Sequence, residues 1–153
     1  MAARGARLLA AGAALSLAAV AAALVSQHVF DIQPCPWCVL QRLVFVAIAV
    51  SCVIALFARR LGAGLALLLS LAGGAAALWQ HFVAAASDSC KLTLADRIVS
   101  GLQLDALLPE VFQARATCAE AAVKLLGVPY EFYSLGLFVL LAALALSVLK
   151  RQR

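Results

Sequence analysis

Charge is the scarcest property of this chain. Only 12% of its 153 residues are Asp, Glu, Lys or Arg, 66% are hydrophobic, and the mean hydropathy is +1.05. A water-soluble domain of this length cannot cover itself with so little polar surface, so that class is excluded. Acids are missing from both flanks, since none of the seven lies before Asp31 or after Glu131. Internal repeats, linkers and shifts of composition are absent too, which leaves one integral-membrane domain over 1–153. What the chain does contain is apolar runs without charge, at 8–26, 43–58, 61–78 and 132–149. Each is close to the roughly 20 residues that a spanning helix requires. The second is read as starting near Val39, so that Gln41 and Arg42 fall inside it. The expected fold class is therefore all-α, a four-transmembrane-helix bundle with spans of about 8–26, 39–58, 61–79 and 132–149. Outer loops are expected at about 27–38 and 84–131, the longer one carrying a short surface helix.

Orientation follows from where the bases sit, because Lys and Arg near span ends stay on the cytoplasmic side. Arg4, Arg7, Arg59, Arg60, Lys150, Arg151 and Arg153 flank one side without a single acid. The opposite side holds all seven acids against five bases, Arg42, Lys91, Arg97, Arg115 and Lys124. Both termini are thus expected in the cytoplasm, with both cysteine-bearing loops outside. The net charge of +5 is a topology signal, and no nucleic-acid partner is expected, because the bases are scattered over two faces of a membrane. Arg4 and Arg7 before an alanine-rich run with Ala21 and Ala23 also resemble a signal peptide and its cleavage site. The run is long for that purpose, and the topology is unchanged if cleavage occurs on the outer side.

Five cysteines remain to be placed. Cys35 and Cys38 fall in the first outer loop, Cys90 and Cys118 in the second, and Cys52 inside the second span, where it reads as a small buried hydrophobe. Outside the cytoplasm two such pairs could simply staple two loops. A four-cysteine zinc site needs a second closely spaced pair, which is lacking, and no metal is expected. The stretch PCPWCVLQR, 34–42, offers a more specific reading. Pro34 and Pro36 hold Cys35 in extended backbone, and Cys38 follows in the first turn of a helix, where free amides and the helix dipole favour a thiolate. Arg42 lies four residues further along the same helix face, about 6 Å deeper. A base on the outer side opposes the positive-inside pattern, so snorkelling alone is a poor account of it. Arg42 is suited to hold a carbonyl of a lipid-soluble oxidant above Cys38.

Taken together, QHVFDIQPCPWCVLQR at 27–42, the double-arginine turn, LPEVFQARATCAE at 108–120 and the final helix after Pro129 resemble the bacterial disulfide bond formation protein B family. Members of that family are membrane oxidases that carry electrons from a periplasmic DsbA thiol oxidase to a respiratory quinone. The resemblance implies catalytic roles for Cys35, Cys38, Cys90 and Cys118, and a quinone site formed by Arg42 and Cys38. It implies ubiquinone as cofactor, with menaquinone as the alternative, and a location in the bacterial inner membrane, among its lipids. It further implies that a reduced DsbA-like partner attacks Cys90 and that Cys118, released, attacks Cys35, whose electrons leave through Cys38. His81, close in depth to the first-loop cysteines, is a candidate quinone contact. His28 reads as an interface anchor, and Trp37 fits either a quinone wall or an anchor. In LDALLPEVFQA, 104–114, the apolar residues recur at helical spacing, and Pro109 must kink or end that helix. Two alternatives stand beside this reading. A non-enzymatic scaffold with stapled outer loops would bind no quinone, and a vitamin K epoxide reductase-like protein normally carries its C-x-x-C in a late span, where this chain has none.

Overall fold

A computed structural model describes residues 2–86 and 93–150; Cys90 lies outside them. Four long helices form the body: α1 (Ala2–Val29), α2 (Pro36–Phe57), α3 (Arg59–Trp79) and the final helix (Tyr130–Lys150). All four are long and apolar enough to cross a membrane, the third with the help of a π-helical turn, Gln80–Ala84, that continues α3. They pack as a ring, α1 against α2, α2 against α3, α3 against the final helix, and that helix back against α1. The helices outrun the uncharged runs because a helix continues for as long as its backbone bonds close, whatever the polarity of its ends.

Between the π-helical turn and the final helix the chain forms three short helices, α4 (Leu94–Gly101), α5 (Leu104–Leu107) and α6 (Pro109–Phe112), and a two-stranded hairpin pairing Lys124–Leu125 with Val128–Pro129. The final helix is accordingly α7. The single surface helix expected over 104–114 is thus two turns, broken where Leu108 leaves helical geometry (φ −135°, ψ 65°) so that Pro109 can open α6. A proline fits there because the first helical amide has no partner to lose. The eight-residue α4 was not expected. Its signal is Thr93-Leu-Ala-Asp96, in which the Thr93 side chain accepts from the Asp96 amide while the Asp96 carboxylate accepts from the Thr93 amide, a reciprocal cap.

At the centre of the bundle Phe45 of α2 and Phe138 of α7 stack with ring centroids 4.2 Å apart and planes 4° from parallel. Ile48, Cys52, Ala66, Leu141 and Ala145 complete this core, so Cys52 is a packing residue. Its sulfur stands 3.1 Å from where a Cβ on Gly12 would lie, which lets α1 approach closely. At the end remote from the cysteines, Ala58 alone separates α2 from α3. A Cβ at Gly62 would lie 2.3 Å from the Ala55 amide nitrogen, so only glycine permits so tight a hairpin. Small residues commonly let membrane helices come this close.

The Phe138 ring depends on a second glycine. A Cβ at Gly73 would stand 2.3 Å from it, and the ring is already held in its stack with Phe45. Gly73→Ala should cost about 1–3 kcal/mol through overpacking, seen as a lower unfolding midpoint in detergent. Gly64→Ala, with nothing within 4 Å of the added methyl, should leave the midpoint unchanged.

Candidate active site at the cysteine-bearing end

The site is built on the start of α2. Cys35 is the N-cap residue, in extended backbone (φ −83°, ψ 167°), and Pro36 opens the helix. Its Sγ accepts a bond from the Cys38 amide at 3.3 Å and lies 2.7 Å from Cys38 Sγ. All four described cysteines are free thiols, and the Cys35 and Cys38 sulfurs need only a small approach to form a bond of about 2.05 Å. The free amide of the first turn thus serves Cys35 as well as favouring charge at Cys38.

Cys118 is brought to this pair by backbone. The amides of Arg115 and Ala116 both donate to the Pro34 carbonyl, at 2.9 and 3.2 Å, which ties the long connection to the residue before Cys35. Thr117 and Glu120 then form a second reciprocal cap, the Thr117 amide donating to Glu120 Oε2 at 2.8 Å and the Glu120 amide to Thr117 Oγ1 at 3.2 Å. These bonds hold the Glu120 carboxyl below its ordinary range. Within that turn Cys118 is buried and packs in one cluster with Cys35, Ala84 and Ala121. The Cys35 thiol is pushed up by its contacts with the Cys118 and Cys38 sulfurs and by burial, which disfavours its anion. Cys118 is shifted the other way, below the ordinary thiol range, chiefly through the same contact with Cys35. A lowered thiol is the better nucleophile near neutral pH.

On the other side of Cys38 a chain of amides leads into the bundle. Gln41 Nε2 donates to Gln80 Oε1 at 2.7 Å, and Gln80 Nε2 donates to Cys38 Sγ at 3.3 Å. Both glutamines are buried. Gln80 owes its position to the π-helical turn, in which its carbonyl accepts from Ala85 at 2.9 Å, five residues on. Such turns insert one extra residue and re-aim the side chains that follow.

Arg42 is 5% exposed, so its charge is met inside the protein. One terminal nitrogen, Nη1, donates to Gln27 Oε1 at 2.7 Å and to the Val111 carbonyl at 2.9 Å; Nη2 donates to the Ala23 carbonyl at 3.3 Å. Of five N–H groups, Nε–H and one on Nη2 remain without a protein acceptor among the described residues. Arg42, Cys38, Gln41 and Gln80 share the wall of a cavity of about 290 Å³ with Tyr130 and Glu131, against an apolar side formed by Ala19, Ala22 and Phe45.

Of the residues singled out in the sequence, Cys35, Cys38, Cys118 and Arg42 come together here. His81 does not reach the cavity wall: its Nδ1 lies 2.6 Å from Glu131 Oε1, and its ring meets Phe82 and Phe132 edge-on. His28 stands 3.8 Å from Glu110 at the surface. Trp37 packs against the cysteine cluster and, tilted, against Trp79 with centroids 6.3 Å apart. The sequence reading missed Gln41, Gln80 and Glu131 as site residues. Their signal was available, since uncharged polar and acidic side chains within or at the edge of apolar spans need internal partners.

Gln80→Leu removes the side-chain donor to Cys38 Sγ and the acceptor of Gln41. In a chain whose other cysteines are alanine, Cys38 should then react with a maleimide about tenfold more slowly, the worth of one hydrogen bond to a developing thiolate. An unchanged alkylation rate would assign the amide chain to packing alone.

Comparison with known proteins agrees with this geometry. Residues 5–148 match the family model described as Disulfide bond formation protein DsbB. The chain is 34% identical to disulfide bond formation protein B of Herminiimonas arsenicoxydans, over 90% of each chain. It is 37% identical to disulfide bond formation protein B 1 of Pseudomonas syringae pv. syringae, over 91% of this chain and 86% of that one. To the protein B of Cupriavidus metallidurans it is 32% identical, over 92% of this chain and 91% of that one. With cysteines gathered at one end of a four-helix membrane bundle and similarity running through nearly its whole length, the chain belongs to the disulfide bond formation protein B family.

Proposed function

We propose that this protein is a quinone-dependent thiol oxidase of the bacterial inner membrane, which reoxidises a periplasmic DsbA-like dithiol and passes the electrons to the membrane quinone pool. Both termini lie in the cytoplasm and the cysteine-bearing end faces the periplasm. The observation that carries the reading is the order of groups: Cys118 against Cys35, Cys35 beside Cys38, and Cys38 on a cavity wall with Arg42. That order is a path for electrons from a loop thiol into the bundle.

The reaction begins when a partner thiolate attacks a Cys90–Cys118 disulfide at Cys90. Cys118 leaves as thiolate. A second partner thiolate resolves the mixed disulfide and frees Cys90, while Cys118 attacks Cys35 of a Cys35–Cys38 disulfide, breaking that bond and releasing Cys38 as thiolate. Re-formation of the Cys90–Cys118 bond leaves Cys35 and Cys38 reduced.

The cavity fits a quinone head group. It has apolar walls for a planar ring, two unspent N–H donors on Arg42 for a carbonyl, and room for one ring system. Ubiquinone is the proposed cofactor, with menaquinone as the alternative; when bound it supplies a two-electron acceptor beside Cys38. Cys38 presents the thiolate, Gln80 steadies the sulfur, and Arg42 places positive charge where negative charge develops, in surroundings that water does not screen.

Two substitutions test this. Cys118→Ala should accumulate a mixed disulfide between Cys90 and the partner, visible on a non-reducing gel; an adduct on Cys35 instead would reverse the order of the loops. Arg42→Ala should weaken quinone affinity or slow quinone reduction by about tenfold to over a hundredfold, the worth of a charge-assisted hydrogen bond. Arg42→Lys should restore only part, because one ammonium cannot span Gln27, Val111 and Ala23. An unchanged quinone KM and rate beside slowed exchange at Cys90 would refute the role of Arg42.

A further inference from the structure

Glu131 is 4% exposed, yet its carboxyl is only half satisfied: Oε1 is 2.6 Å from His81 Nδ1, while Oε2 is buried without a hydrogen-bond partner among the described residues. A buried unpaired carboxyl oxygen is costly, and native structures keep such groups where a ligand or a proton is handled. Glu131 lines the same cavity as Cys38 and Arg42. His81, behind it, retains 31% side-chain exposure at the cysteine-bearing end. The two residues belong to different helices, the π-helical turn after α3 and the first turn of α7. They therefore connect the cavity to the surface by a single hydrogen bond.

We infer that Glu131 is the proton donor of the cavity and that His81 refills it. This rests on the proposed quinone-dependent reading. Oxidation of the Cys35–Cys38 dithiol breaks two S–H bonds and forms one S–S bond, releasing two electrons and two protons. Reduction of a quinone to a quinol consumes two electrons and two protons. Glu131 provides one of those protons: its Oε2–H bond breaks as an O–H bond forms on the acceptor oxygen. His81 then passes the Nδ1 proton to Oε1, and its other ring nitrogen takes a proton from water; the carboxyl is protonated again, and proton exchange with water returns the imidazole to its starting tautomer. The remaining proton comes from the solvent, into which the thiol protons are discharged. Arg42 cannot fill this role, because a guanidinium does not give up its proton. The carboxyl and the guanidinium thus divide the acceptor's needs, one supplying a proton and the other a fixed charge.

Glu131→Gln keeps the shape of the side chain and can still bond His81, but carries no exchangeable acid proton. In purified protein reduced with dithiol and mixed with a short-chain ubiquinone, quinone reduction by this variant should fall about a hundredfold or more, the usual contribution of a positioned general acid. Quinone KM should stay within a few-fold, and the wild-type solvent deuterium isotope effect should disappear. A readout without quinone is infrared spectroscopy of the stripped protein: wild type should show a protonated-carboxyl stretch that moves in D₂O and is absent from Glu131→Gln. In His81→Asn the band should remain, but its shift in D₂O should be slower. A Glu131→Gln protein with wild-type rate and isotope effect, or a wild type lacking the band, overturns the inference. If wild type itself reduces no quinone, the proposed function fails and this inference with it; wild-type turnover beside an unaffected Glu131→Gln removes the proton assignment alone.

Discussion

A guanidinium inside an apolar bundle has to be answered by acceptors, and the cysteine-bearing end of this protein is organised around that need. Arg42 draws its acceptors from Gln27 and Ala23 of α1 and from Val111 of α6. One side chain on α2 thereby fixes the neighbouring span and a helical turn of the long connection. Removing the charge leaves Gln27 Oε1 and two carbonyls to find other donors where water is scarce. Among the described residues three acceptors meet the five N–H groups, and the same side chain lines the cavity. The structural role of Arg42 and the chemical role proposed for it are therefore two consequences of one desolvated charge.

Around that anchor the sulfurs are treated unequally, though they are chemically alike. Cys35 has no exposure and is surrounded by groups that keep it protonated. Cys118, packed with it, is shifted below the ordinary thiol range. Cys38 alone of the three faces the cavity, with an amide from Gln80 on its sulfur. Position along one helix start and one loop turn thus gives three like sulfurs three different surroundings, as the proposed roles of carrier, nucleophile and exit require. Bond exchange requires sulfurs that can meet, and the packing of Cys118 on Cys35 meets that requirement directly.

Much of this was legible from the sequence because the membrane is a strict solvent. Apolar length gave the four helices, and the two prolines flanking Cys35 gave its extended backbone and the start of α2. The depth of Arg42 and its need for partners were equally plain. Less legible was anything depending on a neighbour far along the chain. Gln41 and Gln80 pair across 39 positions, and no local pattern names that pairing. The π-helical turn that aims Gln80 has no composition of its own. Glu131 was read only as one of several acids outside the spans, because its burial depends on how α7 meets the end of α3. The break at Leu108 and the helix α4 are different, since Pro109 and the Thr93–Asp96 pair announce both. There the local signals were sufficient: Pro109 was read as the break, and only the Thr93–Asp96 cap was passed over.

The tie between the two loops has an unusual genetic character. Its acceptor is the main-chain carbonyl of Pro34 and its donors are the main-chain amides of Arg115 and Ala116. Every amino acid placed at 34 offers that same carbonyl, and every one but proline at 115 or 116 offers the same amide. Alanine scanning therefore passes over this contact in silence, however much the meeting of Cys118 with Cys35 relies on it. Only an edit to the backbone itself, such as an ester in place of the amide at 115 or 116, addresses the bond, so the join is exempt from most of the mutational drift that reshapes the side chains around it.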